Sequence, residues 1–211
     1  MFSVHAVPIY YFDGRQKTST SPDGTKTIGI SSLDFDSEHG HIARLTVSAG
    51  GAQLDATIPY GLNPEVLWSP DSRAFAISGS CCGANGNYES DVFFVRSEKL
   101  ERIELTALIR KTFGHPVKCG WSESPNVAAI KWIVASHQLL VASEIIHHTN
   151  CDSSGTFTAY VVDLSERRVV KVLDQLDVKR LYRNDLGKEL LQSDDDCIRR
   201  PESCRVGAKQ Q

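Results

Sequence analysis

The sequence of 211 residues lacks any run of about 18 apolar residues, which a membrane-spanning helix would need. It also lacks a basic block, and its 23 basic and 26 acidic residues leave a net charge of −3. We therefore predict no transmembrane segment and no nucleic acid partner, because phosphate binding needs clustered positive charge. The first residues, MFSVHAVPIYYF, lack the basic start and the apolar stretch of a signal peptide.

Two short metal-binding motifs are absent as well, since neither a C-x-x-C pair nor H-E-x-x-H occurs. The chain nevertheless has six cysteines, an even number that in a domain of this size favours disulfide bonds and an oxidising compartment. We therefore predict a periplasmic or secreted protein, with reduced thiols in the cytosol as the alternative. The disulfide candidates are Cys81, Cys82, Cys119, Cys151, Cys197 and Cys204.

A short turn pattern recurs in the chain and separates alternating apolar runs. Ser-Pro-Asp predicts a type I turn, because proline presets the backbone angle φ and aspartate bonds its own backbone. The two clear copies start 48 residues apart, and a third, weaker copy follows when Trp132 is aligned with Trp68. The residues that define the repeat are Ser21, Pro22, Asp23, Gly24, Trp68, Ser69, Pro70, Asp71 and Trp132.

Each copy opens a unit of four short strands, with a polar loop between the second and the third. In the second unit the predicted strands are 66–69, 73–78, 91–97 and 102–106, joined as one antiparallel meander. A single meander cannot bury both of its faces, so neighbouring sheets must stack on it. The predicted fold class is all-β: a β-propeller-like stack of about three four-stranded antiparallel meanders, that is, an incomplete propeller. A curled sheet stack, a sandwich and pairing with another copy are the alternatives.

Two segments have helical rather than alternating spacing. Residues 105–114, LTALIRKTFG, predict a short helix that ends at a glycine. A second helical pattern begins near residue 176, and four leucines form its predicted packing stripe. We therefore divide the chain into a propeller-like domain at 1–175 and a helical C-terminal extension at 176–211 that packs on it. The leucines of the stripe are Leu176, Leu181, Leu186 and Leu190.

The order Trp-Ser-Pro-Asp, then a strand, then a loop ending in NYESDVFFV resembles the WD-like repeats of TolB-type bacterial β-propellers. In that family the aromatic-Ser-Pro-Asp-Gly turn joins the first two strands of a blade, and an Asp-hydrophobic-aromatic strand follows. The resemblance covers residues 16–175, and the whole chain looks like an uncharacterised bacterial protein family. The sequence departs from the family in blade number, because a propeller closes with about four blades or more and we count three in this chain.

The polar loops between the second and third strands carry the residues with reactive or metal-binding side chains. Repeat geometry places these loops on one side, and imidazole, thiolate and carboxylate are ligands for transition metals. The competing interpretation is that surface loops are rich in such residues without any metal. We predict no cofactor, with a divalent metal as the alternative. The candidate ligands are His39, His41, His147, His148, Cys151 and Asp152.

The predicted function follows from repeat sheets that offer broad binding faces and from the lack of a visible catalytic constellation. We predict a non-enzymatic, β-propeller-like binding domain with a protein partner in the bacterial cell envelope. The tryptophans are expected to pack in the core or between blades, and open sheet edges offer a route to self-association. The alternative is a metal-dependent hydrolase that uses the rim loops around His147, His148 and Asp152.

Overall fold

The computed structural model describes residues 3–9, 17–36, 40–80, 87–112, 125–145 and 155–193. In this part of the chain β-strands dominate and the helices are short. The strands in chain order are β1 (Val7–Pro8), β2 (Ser19–Thr20), β3 (Lys26–Asp36), β4 (Gly40–Ala49), β5 (Ala52–Ile58), β6 (Leu62–Trp68), β7 (Ala74–Ser80), β8 (Tyr88–Val95), β9 (Leu100–Glu104), β10 (Asn126–Val134), β11 (Gln138–Glu144), β12 (Phe157–Asp163) and β13 (Arg168–Asp174). The helices are α1 (Leu105–Thr112), α2 (Gln175–Tyr182), a 3-10 helix (Arg183–Asp185) and α3 (Lys188–Leu191).

The strands form three antiparallel sheets. The first sheet has the order β2-β3-β4-β5, the second β1-β6-β7-β8-β9 and the third β10-β11-β12-β13. The predicted all-β fold of three meanders, an incomplete propeller-like stack, is therefore confirmed. The second sheet contains the meander predicted from the turn pattern, with Trp68 opposite Phe75 and Phe75 opposite Phe93. Its fourth strand ends earlier than predicted, because α1 begins at Leu105.

Alternating side chains of the second sheet show how the sheets stack. Phe75 and Ile77 of β7 pack into one hydrophobic cluster with the first sheet. Ala74 and Ala76, on the opposite face of the same strand, pack into another cluster with the third sheet and α1. The second sheet is thus buried on both faces, which explains why β7 reads as a nearly continuous apolar run. Two stacked aromatic rings, those of Phe75 and Phe93 with centroids 5.3 Å apart, strengthen the first interface.

The first and third sheets, which lie at the two ends of the stack, have different outer faces. The far face of the first sheet is polar, with Arg44 and Thr57 exposed and the Thr46 hydroxyl donating to the Asp55 carboxylate at 2.9 Å. The far face of the third sheet is covered by the C-terminal helices, which bury Leu190 against that sheet. Among the described side chains, neither end therefore presents a bare apolar sheet on which a fourth blade could stack, and capping units play this role in repeat proteins.

The C-terminal helices depart from the predicted leucine stripe at one position. Leu186 and Leu190 are fully buried, as expected, but the side chain of Leu181 is 50% exposed and Val178 is buried instead. The helical pattern is interrupted, since α2 ends at Tyr182 and a 3-10 helix follows. This change of helical phase rotates later residues relative to α2, so one stripe cannot run through all four leucines. The division into two domains stays a prediction.

Candidate functional site

The two Ser-Pro-Asp turns have the same hydrogen bonds. The Ser21 hydroxyl donates to the Asp23 carboxylate at 2.6 Å and accepts from the Lys26 backbone N–H at 3.0 Å. In the second turn the Ser69 hydroxyl donates to Asp71 at 2.7 Å and accepts from the Ala74 N–H at 3.0 Å. These local bonds close each turn without help from the rest of the fold. The bond from Ser21 also holds the pKa of Asp23 well below its usual value.

The fourth turn residue has a left-handed backbone in both copies. Gly24 has φ +73°, and Ser72, which replaces the glycine in the second copy, has φ +59°. A residue with a side chain is strained at such an angle by about 1 kcal/mol. Ser72 is fully buried, and its hydroxyl accepts a hydrogen bond from the backbone N–H of Asp23 at 3.0 Å. The second turn thus has a more strained backbone than a glycine would give, but its serine side chain forms a hydrogen bond with the turn of the first sheet.

The repeat residues also join each sheet to the one before it. Trp68 of the second sheet donates its indole N–H to the Ser19 hydroxyl of the first sheet at 3.1 Å. Trp132 of the third sheet donates to the Leu67 carbonyl of the second sheet, also at 3.1 Å. The third turn adds a bond in which the Ser136 hydroxyl donates to the Asp71 carboxylate at 2.8 Å. In this structure the tryptophans and turn residues therefore connect neighbouring sheets.

The residues predicted to bind metal lie almost entirely outside the described part of the chain. This holds for His39, His147, His148, Cys151 and Asp152, and all six cysteines are outside it too. His41 lies in β4 with its backbone opposite Phe35, and its side chain is not described. Within the described ranges, no group of three histidine, cysteine or acidic side chains is placed to hold a metal ion. The metal and disulfide predictions stay predictions, and so does the role of Trp121, which is also outside these ranges.

Two buried glutamates lie between the second and third sheets and α3. Glu65 of β6 and Glu144 of β11 are each only 7% exposed. The pKa of Glu65 is raised from 4.5 to about 7, mainly by burial and to a smaller extent by the charge of Glu189 on α3, and this net value includes the lowering effect of a hydrogen bond with Tyr88. Burial also raises the pKa of Glu144, again with a contribution from Glu189. These carboxyl groups are therefore costly to ionise in the folded protein.

The acidic cluster, which we define as Glu65, Glu144 and Glu189, was not found from sequence. Glu65 lies on the same face of β6 as the buried Leu67, so its position in the strand alternation is a core position. A charged residue at a core position is the signal that could have indicated it. Tyr88 and Glu144 are next to the loops predicted to carry metal ligands, which places the cluster at the ends of the strands from which these loops depart.

An ion pair within the second sheet has a buried carboxylate, which also bonds Tyr60 of the connection from the first sheet. Asp91 of β8 is 2% exposed, and its carboxylate accepts a hydrogen bond at 2.7 Å from the hydroxyl of Tyr60. The guanidinium of Arg102 on β9 contacts the same carboxylate through two nitrogens at 2.8 and 2.6 Å. A buried charge with two such partners serves the structure, because its desolvation is compensated by hydrogen bonds. Asp91 is therefore a less suitable reactive group than its burial alone would indicate.

An N-terminal segment spans the inner edges of the second and third sheets. The inner edge is the side of each sheet that carries β2, β6 or β10. The Ser3 hydroxyl donates to the Ile130 carbonyl at 2.7 Å, β1 pairs with β6, and the Ile9 N–H donates to the Pro64 carbonyl at 3.0 Å. Residues 3–9 therefore hold the second and third sheets together on the side where a closed propeller has its channel.

An open groove of about 660 Å³ lies on this inner side, and we call it the inner groove. Its lining comes from β1, β2, β6, β10 and the 3-10 helix, so all three sheets contribute. Trp68 supplies partly exposed aromatic surface, whereas Trp132 borders the groove but is only 6% exposed. One wall is charged: the Asp185 carboxylate contacts the His5 imidazole at 2.9 Å and the Lys131 ammonium at 3.0 Å. The groove thus combines apolar rings with a fixed charged cluster.

The fold and this groove define an all-β protein made of three stacked antiparallel sheets. No protein family model matches the chain, and no curated protein matches it either. Among solved structures, the chain is similar to Pyrococcus horikoshii acylaminoacyl peptidase, with a TM-score of 0.43 and 12% sequence identity. The match covers 75% of this chain and 24% of the peptidase chain, so this protein spans about a quarter of that length.

Proposed function

We propose that the protein is a non-enzymatic binding domain, built from TolB-type repeats, that holds a segment of another protein in the inner groove. The observation that carries the proposal is the groove itself, because side chains from all three sheets converge there. Protein interfaces are enriched in tryptophan, and such anchors dominate binding energy when they are desolvated. A pre-formed groove also loses little conformational entropy when it is filled.

The tryptophans suit this role through the orientation of their polar atoms. Both indole N–H groups are already bonded inside the protein, Trp68 to Ser19 and Trp132 to Leu67. The exposed part of the Trp68 ring is apolar, so a partner does not have to satisfy a donor there, while Trp132 is 6% exposed and supports the groove from the core. The cluster of Asp185, His5 and Lys131 gives the same groove a polar end that fixes the orientation of a bound segment.

The location that we propose for this activity is the bacterial cell envelope, either the periplasm or the outside of the cell. The proposal is supported by the even number of cysteines. None of the helices in the described ranges is long and apolar enough to cross a membrane.

The test compares groove variants with a matched surface variant. Val7→Arg and Thr20→Arg place a long charged side chain in the inner groove, whereas Thr57→Arg places the same side chain on the polar face of the first sheet. Each purified protein is immobilised and exposed to an envelope extract of the bacterium that encodes it. A partner enriched by the wild type is then purified, and its affinity is measured by calorimetry.

We expect the groove variants to weaken binding at least about tenfold and the surface variant to bind like the wild type. Circular dichroism confirms that each variant is folded. Equal binding by the groove variants, or the absence of any partner that binds in purified form, would contradict the proposal.

A further inference from the structure

The outer edge of the third sheet differs from the outer edges of the other two. β13 is the last strand of its sheet and pairs only with β12 among the described strands. Val170 and Val172 of β13 are 39% and 56% exposed. The corresponding outer strands, β5 and β9, expose no large apolar side chain. An apolar edge strand is a template for pairing with another chain, so proteins usually protect such edges.

A shallow groove of about 410 Å³ runs along this edge, between α1 and β13. Leu108 supplies apolar surface from α1, while Lys111 and Lys171 supply positive charge. These two lysines have no ion-pair partner among the described residues, and no acidic side chain lines the groove there. Among the described residues, the groove therefore combines a strand edge without a pairing strand, exposed valines and two lysines without an ion-pair partner, whereas Arg167 and Arg168, which also line it, contact Glu101 and Glu166.

We propose that β13 is a docking edge for an extended acidic segment of a partner protein, which adds to the third sheet as an outer strand. Outside the register shift at Val170, where Val169 and Lys171 pair with the adjacent residues Val162 and Val161, every second residue of β13 points its N–H and C=O away from β12, which gives the added strand its hydrogen bonds. The apolar side chains of the segment would pack on Val170 and Val172. Its acidic side chains would meet Lys171, and Lys111, which lines the same groove from α1, would add attraction over a longer distance.

The basic residues of β13 favour an acidic partner segment over a second copy of the protein as the strand that pairs with this edge. Two copies joined through β13 would bring the basic residues of both strands together, and like charges across a strand pair are destabilising. Arg168 and Lys171 lie within β13 itself, so the registers that set these basic residues opposite each other are disfavoured in such a dimer, and only Asp174 at the end of the strand offers an opposite charge. An acidic strand meets the same residues with opposite charge, and the edge therefore discriminates in its favour.

The probe is a fluorescein-labelled ten-residue peptide of alternating glutamate and valine, with an alternating lysine and valine peptide as its counterpart. Binding to the full chain is followed by fluorescence anisotropy. We expect saturable binding of the acidic peptide that weakens between about 50 and about 500 mM salt, and no binding of the lysine peptide. Amide hydrogen exchange within residues 168–174 should slow when the acidic peptide is bound.

Two pairs of variants test the two kinds of contact. The double variant Lys111→Glu, Lys171→Glu should weaken binding about tenfold or more, whereas Lys99→Glu, on an exposed turn of the second sheet, should not. Val170→Thr with Val172→Thr removes apolar surface but keeps the shape, and it should weaken binding several-fold. Val134→Thr, at an equally exposed valine of β10, is its control.

The docking edge does not depend on the inner groove, so Thr20→Arg should leave peptide binding unchanged. Equal affinity for both peptides, unchanged affinity in the lysine double variant, or unchanged amide exchange in β13 would overturn the proposal. A dimer that forms without peptide and is lost in the valine double variant would also overturn it, because a second copy would then be the occupant.

Discussion

Replacing the buried acid Glu65 by glutamine is expected to stabilise the protein at high pH. Each tenfold change in proton affinity corresponds to about 1.4 kcal/mol. The rise in the pKa of Glu65 from 4.5 to about 7 therefore makes its ionised form about 3 kcal/mol more costly in the folded state than in the unfolded chain. Glutamine keeps the size of the side chain and can still accept from the Tyr88 hydroxyl, but it carries no charge.

The direction of the pH dependence follows from which state binds the proton more tightly. The folded protein keeps the Glu65 proton up to about pH 7, whereas the unfolded chain releases it near pH 4.5. Stability from this group is therefore fully present at low pH and is lost as the pH rises through this window. The stability of Glu65→Gln relative to the wild type should increase by about 2.5 kcal/mol between pH 5 and pH 8.

The assay is urea denaturation followed by tryptophan fluorescence at several pH values between 5 and 8. The control is Glu104→Gln, which changes an exposed glutamate of β9 and should alter the free energy of unfolding by about 0.5 kcal/mol or less. The other titrating groups are shared by the variant and the wild type, so they cancel in the difference. A stability difference that does not change with pH, or that falls as the pH rises, would refute the placement of Glu65 as a buried acid.

Four further outcomes are expected. Tyr60→Phe should lower the free energy of unfolding by about 1–3 kcal/mol, because the buried Asp91 carboxylate loses a hydrogen bond. Urea denaturation measures this loss, and a variant as stable as the wild type would contradict the prediction. Ser72→Ala should cost about 1–2 kcal/mol, and Ser72→Gly about 1 kcal/mol less, since glycine relieves the positive φ; equal losses would argue against strain. Alkylation of the unfolded, unreduced protein should block fewer than six thiols by intact mass, and six would remove the argument for an oxidising compartment. Purified protein should contain no stoichiometric zinc or calcium by elemental analysis; a bound metal that is lost in His147→Ala, His148→Ala would instead support the hydrolase alternative.

Local interactions explain why the strand and turn pattern could be predicted. Ser69 and Asp71 bond within their own turn, so the turn is encoded in a few adjacent residues. The alternation of apolar residues then indicates which segments are strands, and four-strand units follow from their order. The short helix α1 was predicted for the same reason, since Leu105 and Ile109 are one helical turn apart and both are buried.

Contacts between distant residues account for what could not be predicted. The sequence shows Glu65 as a single acid beside an apolar run, and only the packing of the second sheet, the third sheet and α3 makes it a buried acid. The inner groove depends on Ser3 reaching Ile130 and on Asp185 reaching His5 and Lys131, which are far apart in the chain. A pattern of neighbouring residues in the sequence does not indicate which distant residues will come into contact.

The sequence by itself determined the class of this protein, an all-β stack of repeated meanders, because turn chemistry and strand alternation act over a few residues. The tertiary structure decided how the stack ends, with a polar face on the first sheet and helices over the third. It also decided which outer strand exposes apolar side chains, since β13 exposes valines and, among the described strands, β5 and β9 do not. Burial and edge pairing depend on which surfaces meet, and that is set by the packing of whole sheets.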